Sequence, residues 1–345
     1  MRLLSLEDAD RLLTDSAIRT PSIRLARDGA VLPESCYTRR ATLAGKALTG
    51  LVDPRLALDA FRDGATVVFQ GLHRYHPPLT RLVAELELAL GHPCQANAYL
   101  TPPGSQGFAV HADSHDVFVF QTAGSKQWQI HAGEGGRDRV DDITMEPGLC
   151  LYLPTGTPHA ARAQETVSLH VTVGINQLTW RGLLRRTVEG LLPPDDHLPA
   201  GYLDDPATLS SGLADRLRGL ADALTQADTK AAAEEEVRRF LTSRQPRLSG
   251  GLLDQLAGPV EDTTRLRRRP GSACVVRDHG ERLEVLLGDR AMDVPGRLRH
   301  AFAQLRARDE LRPADLPLDP QSRVVLCRRL VREGLLQIIG PARAE

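Results

Sequence analysis

A histidine and an aspartate two positions apart form the strongest chemical signal in the sequence. His111 and Asp113 lie in the run HADSHDVFVFQ, and in an extended strand residues two apart point to the same side. His159, which follows the turn PTGTP, can supply a third ligand. Two histidines and a carboxylate bound to one side of a metal are typical of non-haem Fe(II) oxygenases, whose open positions take a co-substrate and O₂. The spacing therefore predicts a metal site and favours oxidative chemistry.

The triplet alone is weak evidence, because the chain has 11 histidines and contains a second His-x-acid triplet, His279-Gly-Glu281. The setting favours the first triplet: a Pro/Gly/Ser turn precedes it, and the strand-like stretches DVFVFQ and KQWQIH follow it. The simpler interpretation of His111 and His159 is that they are hydrogen-bonded residues of a sheet. For His279 that simpler interpretation is the favoured one.

Length and composition limit the fold and the partners. The 345 residues exceed one ordinary core, so we expect two or three domains. A net charge of −1 gives no global attraction to nucleic acid or to an anionic membrane. The five cysteines include no CxxC pair, which favours reduced thiols over a disulfide framework or a zinc site. The acidic start MRLLSLEDADRLLTD does not match a secretory signal and no run is long enough to span a membrane, so we expect a cytoplasmic protein.

The pattern changes along the chain. Residues 1 to about 55 are predicted to be helical or irregular, and residues 56–92 to form helix, strand and helix. Short strand patterns between Gly/Pro/Ser turns predict an antiparallel barrel or sandwich over residues 94–178, and such a barrel can hold a ligand inside. Residues 179–258 have the apolar spacing of amphipathic helices. Residues 259–345 alternate strands and helices in the manner of a winged-helix domain.

The basic run RRRP at 267–270 raises the question of DNA binding. The same segment carries many acids, however, and its basic residues are not clustered on a single helix. We therefore favour a protein-interaction role for this domain and do not expect nucleic acid as a partner.

Several motifs together resemble one known family. They are NAYLTPPGSQGF, the His111-x-Asp113 pair, GSKQW, PTGTPH, SLHVTV and LRPADLPLDPQSRVVLCRRLVREGLLQI. In combination they resemble the JmjC-type ribosomal oxygenases of the cupin-like superfamily. The resemblance implies a mainly β core with helices: a double-stranded β-helix barrel at residues 1–178, a helical dimerisation region at 179–258 and a winged-helix-like domain at 259–345. It also implies Fe(II), 2-oxoglutarate and O₂, a homodimer, and hydroxylation of a polypeptide side chain such as a histidine or arginine of a ribosomal protein.

Lys126 is the candidate partner for the distal carboxylate of 2-oxoglutarate, because a buried charge without a partner is strongly unfavourable. It is one of three lysines in a chain that otherwise uses arginine for positive charge, and the resemblance places the family's 2-oxoglutarate lysine here. Asn97 and Tyr99 share one face of a predicted strand, and the resemblance places them near substrate and co-substrate. The alternatives are ordinary barrel packing for these two residues and a solvent-facing edge position for Lys126.

The substrate and the class of function stay open at this level. Family members that act on histidine place a small hydroxyl residue near position 174, where this chain has Gly174. A peptide natural-product precursor is therefore as open as a ribosomal protein. A metal cupin that does not use 2-oxoglutarate would keep the three ligands without needing Lys126. A non-catalytic regulatory protein, sensing a small molecule in the barrel and binding DNA through its last domain, is the third alternative.

Overall fold

The computed structural model describes residues 3–105, 109–132, 138–194 and 197–339. The chain divides into two compact units, Met1–Gln177 and Leu178–Glu345. The further division of the second unit near residue 258 stays a prediction. The end of the motif NAYLTPPGSQGF, residues 106–108, lies outside the described residues. In the described part of the chain, no helix has both the length and the apolar character that crossing a bilayer requires.

The first unit contains helices, a seven-stranded sheet, a four-stranded sheet and a separate hairpin. The described helices are α1 (Leu6–Thr14), α2 (Pro54–Arg62) and α3 (Pro77–Leu90). The described strands are β1 (Ile23–Arg27), β2 (Ala30–Val31), β3 (Thr38–Leu43), β4 (Lys46–Val52), β5 (Thr66–Phe69), β6 (Cys94–Thr101), β7 (His111–Ala112), β8 (Asp116–Ala123), β9 (Lys126–Ala132), β10 (Asp138–Met145), β11 (Cys150–Leu153), β12 (Pro158–Ala163) and β13 (Ser168–Ile175). Strands β3 and β4 form the hairpin.

Local sequence signals explain where these helices begin. Ser5 and Asp8 form a capping box on α1, with each side chain accepting a hydrogen bond from the other residue's backbone N–H at 3.0 Å. The side chain of Asp53 caps α2, and α3 starts at Pro77, whose missing N–H costs nothing in a first turn. Helix α3 ends at Gly91, which adopts the left-handed conformation at φ 68°.

A seven-stranded sheet with the order β11-β8-β13-β6-β5-β1-β2 is the largest element of the first unit. The expectation that residues 1 to about 55 are helical or irregular is wrong, because β1 and β2 extend this sheet and β3 and β4 form the hairpin. Strand β1 reads IRLAR, and its two arginines weaken any local strand signal. Its pairing with β5, from Ile23 opposite Phe69 to Ala26 opposite Thr66, comes from tertiary contact instead.

A second sheet, with the order β10-β9-β12-β7, faces the first. An apolar cluster joins the two sheets: Val117, Val119 and Leu153 come from the large sheet, and Trp128 and Met145 come from the small one. The strands alternate side chains between the two faces, so the inward rows of both sheets enclose a common interior. The β-rich barrel predicted from the strand patterns is confirmed.

The other face of the large sheet carries the main core of this unit. Val67 from β5 and Val171 from β13 are fully buried there, and Leu13 of α1, Ala57 of α2 and Val83 of α3 belong to the same cluster. The helices cover the outer face, and the inner face is left to line the barrel. All eight residues of β13 are consequently buried.

The second unit begins with helices and ends with a mixed α and β region. Its described helices are α4 (Trp180–Leu191), α5 (Pro206–Thr225), α6 (Thr229–Thr242), α7 (Gly251–Leu256), α8 (Arg299–Ala307) and α9 (Pro320–Arg332). Its described strands are β14 (Leu266–Arg268), β15 (Val275–Asp278), β16 (Arg282–Leu287), β17 (Arg290–Pro295), β18 (Glu310–Leu311) and β19 (Leu336–Ile338). They form two three-stranded sheets, β18-β14-β19 and β15-β16-β17. The predicted order of helices followed by alternating strands and helices is present.

The basic run at 267–270 contains a structural arginine. Arg269 is 2% exposed and its guanidinium donates to Asp254 at 2.6 Å, and to the backbone carbonyls of Gly334 and Leu336, each at 3.0 Å. The second carboxylate oxygen of Asp254 accepts the Ile338 N–H at 2.9 Å. This buried ion pair therefore ties α7 to the last strand, and Arg269 is unavailable for DNA.

Replacing Arg269 by leucine should destabilise the second unit by about 3–5 kcal/mol, because it leaves the Asp254 carboxylate buried without its cation. Urea denaturation followed by circular dichroism would measure the loss. Arg267→Leu is the matched control: Arg267 pairs with Glu310 at 2.8 Å, but both side chains are more than two-fifths exposed, so little change is expected. Equal effects of the two substitutions would contradict a structural role specific to Arg269.

Candidate metal centre

The pairing of two short strands brings the predicted ligands together. Strands β7 and β12 are antiparallel, and His111 lies directly opposite His159 in their register. The ring centroids of these histidines are 4.5 Å apart. Asp113 follows β7, and its backbone carbonyl accepts the N–H of Gly156 at 2.9 Å, which fixes this turn against the turn before β12. Residues 48 positions apart therefore meet at one end of the small sheet.

The three side chains fit a divalent transition metal. Their ligand atoms all lie within 4.8 Å of one another. The Nε2 atoms of His111 and His159 are each 3.9 Å from a different carboxylate oxygen of Asp113. The Nδ1 atoms are each 2.9 Å from a backbone carbonyl, of Ala109 and Thr157 respectively. A protonated Nδ1 donating to a carbonyl leaves Nε2 as the lone-pair donor, the arrangement that metal-binding histidines use.

Burial differs between the two histidines. The side chain of His159 is 6% exposed, whereas that of His111 is 44% exposed. Burial lowers the pKa of His159, and the neighbouring His111 acts in the same direction, while the hydrogen bond to Thr157 and the charge of Asp113 oppose this shift. The indole of Trp128 packs against His159 with ring centroids 5.5 Å apart. His159 is thus held in the neutral form that can bind a metal.

The triad lies at a cavity of about 210 Å³ enclosed by the two sheets. The lining residues are Arg24, Thr66, Tyr99, His111, Asp113, Val117, Val119, Lys126, Trp128, Leu153, His159, Ala161, His170 and Thr172. Nine of these fourteen side chains are charged or can hydrogen-bond through their polar groups, and the five apolar ones are Val117, Val119, Trp128, Leu153 and Ala161. A concave site with this many convergent polar groups suits a small polar ligand.

Lys126 lies inside this cavity and not on an edge strand facing solvent. Strand β9 is flanked by β10 and β12, and Lys126 is 3% exposed. Its Nζ donates to the hydroxyl of Thr101 at 3.0 Å, and Thr66 donates to the same hydroxyl at 3.1 Å. Burial lowers the pKa of the Lys126 ammonium to about 7, because a low-dielectric surrounding disfavours the charged form. An anion bound beside Nζ would restore the charge.

Tyr99 and Asn97 differ in their relation to the cavity. Tyr99 lines it and stacks on His170, with ring centroids 4.9 Å apart and an interplanar angle of 4°. Burial raises the pKa of the Tyr99 hydroxyl. Asn97 is absent from the lining residues given above, and its side-chain carbonyl accepts the N–H of Gly71 at 3.0 Å. The turn-bonding interpretation of Asn97 therefore fits its observed contact, whereas a role for it near ligand stays a prediction.

The second triplet has a different setting. His279 is exposed on the turn between β15 and β16, where its N–H donates to the carbonyl of Arg282 at 2.9 Å. Among the described residues, the cluster suited to a metal is His111, Asp113 and His159. The sequence interpretation that favoured the first triplet agrees with this placement.

The sequence analysis missed four polar residues of the cavity, Arg24, Thr66, His170 and Thr172. Arg24 comes from β1, in a region expected to lack strands, and only the sheet order could have revealed it. His170 lies in the motif SLHVTV, is 3% exposed, and has its Nδ1 buried without a hydrogen-bond partner in the described part of the chain. Burial and the nearby Lys126 lower its pKa well below the ordinary value. A histidine within the strand-like stretch SLHVTV was the available signal.

Comparison with known proteins agrees with this architecture. The family model "JmjC domain" matches residues 74–183. The bifunctional lysine-specific demethylase and histidyl-hydroxylase NO66 of Branchiostoma floridae is 36% identical over 179 residues, which are 49% of this chain and 29% of that protein. Ribosomal oxygenase 2 of Mus musculus is 28% identical over 239 residues, which are 61% of this chain and 51% of that protein.

Solved structures extend the similarity to nearly the whole chain. The ribosomal oxygenase YcfD of Escherichia coli matches with a TM-score of 0.55 at 19% identity, over 98% of this chain and 91% of that one. A structure of YcfD in complex with cobalt and 2-oxoglutarate gives a TM-score of 0.54. The chain spans about half or less of the length of the two curated relatives named above. The resemblance to the JmjC-type ribosomal oxygenases is confirmed: residues 74–183 match the JmjC domain model, and the overall fold is similar to that of YcfD.

Proposed function

We propose that the protein is an Fe(II)- and 2-oxoglutarate-dependent oxygenase that hydroxylates a polypeptide side chain. The observation that carries the proposal is the occurrence, in one cavity, of a His/Asp/His set with converging ligand atoms and a buried lysine. His111, Asp113 and His159 would hold the metal. Bound there, Fe(II) together with 2-oxoglutarate and O₂ supplies the oxidising chemistry that inserts oxygen into a C–H bond and releases succinate and CO₂.

Lys126 would bind the distal carboxylate of 2-oxoglutarate. A dianion inside a cavity needs a cation, because an unpaired buried charge is strongly unfavourable. The ammonium of Lys126 already donates one hydrogen bond to Thr101, and an ammonium has three N–H donors. The remaining donors are sufficient to bind a carboxylate.

Other residues of this cavity would orient the ligands and exclude water. The Nδ1 bonds of His111 and His159 to backbone carbonyls fix both rings before any metal arrives. Trp128 and Val119 are at most 4% exposed and belong to the cluster between the two sheets. Such a wall lowers the local dielectric and strengthens the electrostatic contacts of a bound anion.

The substrate we propose is a ribosomal protein, and the support is the names of the relatives, which are ribosomal oxygenases and a histidyl-hydroxylase. A peptide natural-product precursor is the alternative. Comparing ribosomal proteins from a deletion strain and its parent by mass spectrometry tests this choice. A mass gain of one oxygen atom, present in the parent and missing in the deletion strain, would support a ribosomal substrate. The cytoplasmic location that was predicted from the acidic start of the sequence and its reduced thiols remains part of this proposal.

Succinate release tests the activity itself and separates it from a metal cupin that does not use 2-oxoglutarate. We expect His111→Ala and Asp113→Ala to abolish both Fe(II) binding and 2-oxoglutarate turnover, because a site with three protein ligands cannot lose one. Circular dichroism should show the fold intact. His279→Ala is the control and should keep wild-type turnover. Turnover surviving in either ligand variant would remove the basis for this metal site.

Lys126→Ala should weaken 2-oxoglutarate binding by more than about a hundredfold in Kd. The substitution leaves the distal carboxylate without its cation, which costs about 3–5 kcal/mol by analogy with broken buried ion pairs. Isothermal titration with Mn(II)-loaded protein measures this without turnover. Lys126→Arg restores charge but not shape and should recover part of the affinity. Unchanged affinity in Lys126→Ala would mean that the co-substrate, if used, is bound elsewhere.

A homodimer through the helices at the start of the second unit is the assembly we propose. Helices α4 and α5 contain no buried residue. Three of their leucines, Leu184, Leu213 and Leu217, are each more than half exposed. Leu183 of α4 and Leu220 of α5 are half-buried. Exposed leucines at helical spacing need a covering surface, and a two-fold dimer would use the same patch twice.

Sedimentation equilibrium at micromolar concentration should therefore give twice the 37.7 kDa chain mass. An obligate interface of this kind buries more than about 2,000 Å². Leu213→Glu with Leu217→Glu should shift the protein to the monomer mass, because two buried charges would face their symmetry copies. A monomer in the wild-type protein would leave these helices as a surface for another partner.

A further inference from the structure

A groove in the second unit lies along one face of α9 and belongs to neither the metal centre nor the proposed dimer surface. Its volume is about 610 Å³, within the range of about 300–1,000 Å³ that is typical of ligand-binding pockets. Its lining residues come from α7 and the segment after it, from α9 and from β19. We call this feature the α9 groove.

Four residues of α9 that line the groove form one stripe along the helix. The i, i+3, i+4, i+7 spacing that places side chains on a common face is followed by Val325, Arg328, Arg329 and Arg332. Val325 is 56% exposed, and the side chains of Arg329 and Arg332 are 55% and 68% exposed. The expectation from the sequence that the basic residues of this domain are not clustered on a single helix is therefore wrong for α9.

The base of the groove is apolar. Val260 and Val331 are buried there, and Ile338 is half-buried. Pro259, which is exposed, adds apolar surface to the wall. Covering such surface with another apolar group removes it from water and is favourable. The α9 groove therefore suits a ligand that carries apolar side chains.

One carboxylate lies among the arginines at the end of α9. The Glu333 carboxylate is 2.9 Å from Arg329 and 3.7 Å from Arg332, and it also pairs with Arg290 at 3.0 Å. A single negative charge shared among several guanidiniums does not neutralise all of them.

Two further polar contacts in the described lining leave this imbalance in place. Arg328 donates to the backbone carbonyl of Val260 at 3.5 Å, and a carbonyl is a neutral acceptor. Asp254 also lines the groove, but its carboxylate is buried and already paired with Arg269. The three arginines of the stripe, counted against the one carboxylate at the end of α9, give the rim of the groove a net charge of +2.

We propose that the α9 groove binds an acidic amphipathic helix of a partner protein. The stripe extends about 10 Å along α9, because each residue of a helix advances about 1.5 Å, so it faces about two turns of a bound helix. Apolar side chains of that helix would cover the base of the groove, and its aspartate and glutamate side chains would pair with the arginines. The proposal concerns the second unit and does not rest on the proposed function.

A nucleic acid matches the groove less well than a peptide helix does. Its phosphates would pair with the arginines, but the valines and the isoleucine at the base of the groove would gain no apolar partner from them. An acidic amphipathic helix satisfies the charged rim and the apolar base together.

Fluorescence anisotropy with the full-length protein and designed peptides tests this proposal. The probe is a labelled peptide of about 18 residues, long enough to form a helix, with leucines along one face and glutamates elsewhere. One comparison peptide has lysine in place of glutamate, and another has serine in place of leucine. The acidic amphipathic peptide should bind with a Kd at least about tenfold lower than either comparison peptide. Added salt should weaken this binding, because exposed charges are screened.

Variants of α9 show whether the peptide binds at this groove. Arg328→Gln combined with Arg332→Gln removes two positive charges from the rim and should raise the Kd at least about tenfold. Val325→Ser removes apolar surface and should also weaken binding. Arg306→Gln is the matched control, because Arg306 is an exposed arginine of another helix, α8, and is not among the residues that line the groove. Thermal unfolding should give similar stabilities for all of these surface variants.

Several outcomes would overturn the proposal. They are equal affinity for the acidic and basic peptides, no binding of the acidic peptide, and unchanged affinity in the double arginine variant. A duplex DNA that displaces the acidic peptide and binds more tightly would assign the groove to nucleic acid instead. Residues 340–345 lie outside the described residues, so a chain that ends at Ile339 is also measured. Binding that occurs only in this shortened chain would assign the groove to the chain's own last residues, and the partner protein would be ruled out.

Discussion

The antiparallel pairing of β7 with β12 is the constraint on which the rest of the site depends. It places His111 opposite His159 at the end of the small sheet, and the turn contact between Asp113 and Gly156 brings the carboxylate into the same space. Strand β7 has only two residues. The site is therefore held as much by backbone hydrogen bonds of turns as by the sheet, and each histidine ring is oriented by a carbonyl two residues before it.

The second defining feature of the cavity, after the three candidate metal ligands, is the buried lysine Lys126. The Lys126 ammonium is buried and donates to the hydroxyl of Thr101. Burial lowers its pKa to about 7. Because the folded pKa lies below the ordinary value, the folded state is penalised most where the amine must stay charged, at pH below about 7, and the penalty fades as pH rises. Groups with strongly shifted pKa values are common at functional sites, and an anion bound beside the Lys126 ammonium would remove this penalty.

The buried ion pair of the second unit, Arg269 with Asp254, has a different role. Arg269 and Asp254 neutralise each other and bond backbone groups at the ends of the last strand, and both are buried, so an outside anion has little access to them. Among the described residues, the Lys126 ammonium donates one hydrogen bond, to Thr101, of the three that it can donate. The comparison separates two kinds of buried cation in one chain: one closes a structural network, and the other is left available at a cavity wall.

The sequence by itself identified the candidate site residues that are marked by short-range spacing or by composition. The two-residue spacing of His111 and Asp113 guarantees a shared face in any strand, and the rarity of lysine marked Lys126. Strand and helix patterns predicted the barrel and the helical region, since those signals repeat over a few residues. Tertiary structure decided what depends on distant pairing: the strands before residue 55, the entry of Arg24 into the cavity and the bond of Asn97 to Gly71. The order of strands in a sheet depends on which strands bury a common face. The residues of a single strand such as IRLAR therefore do not indicate which strands will pair with it.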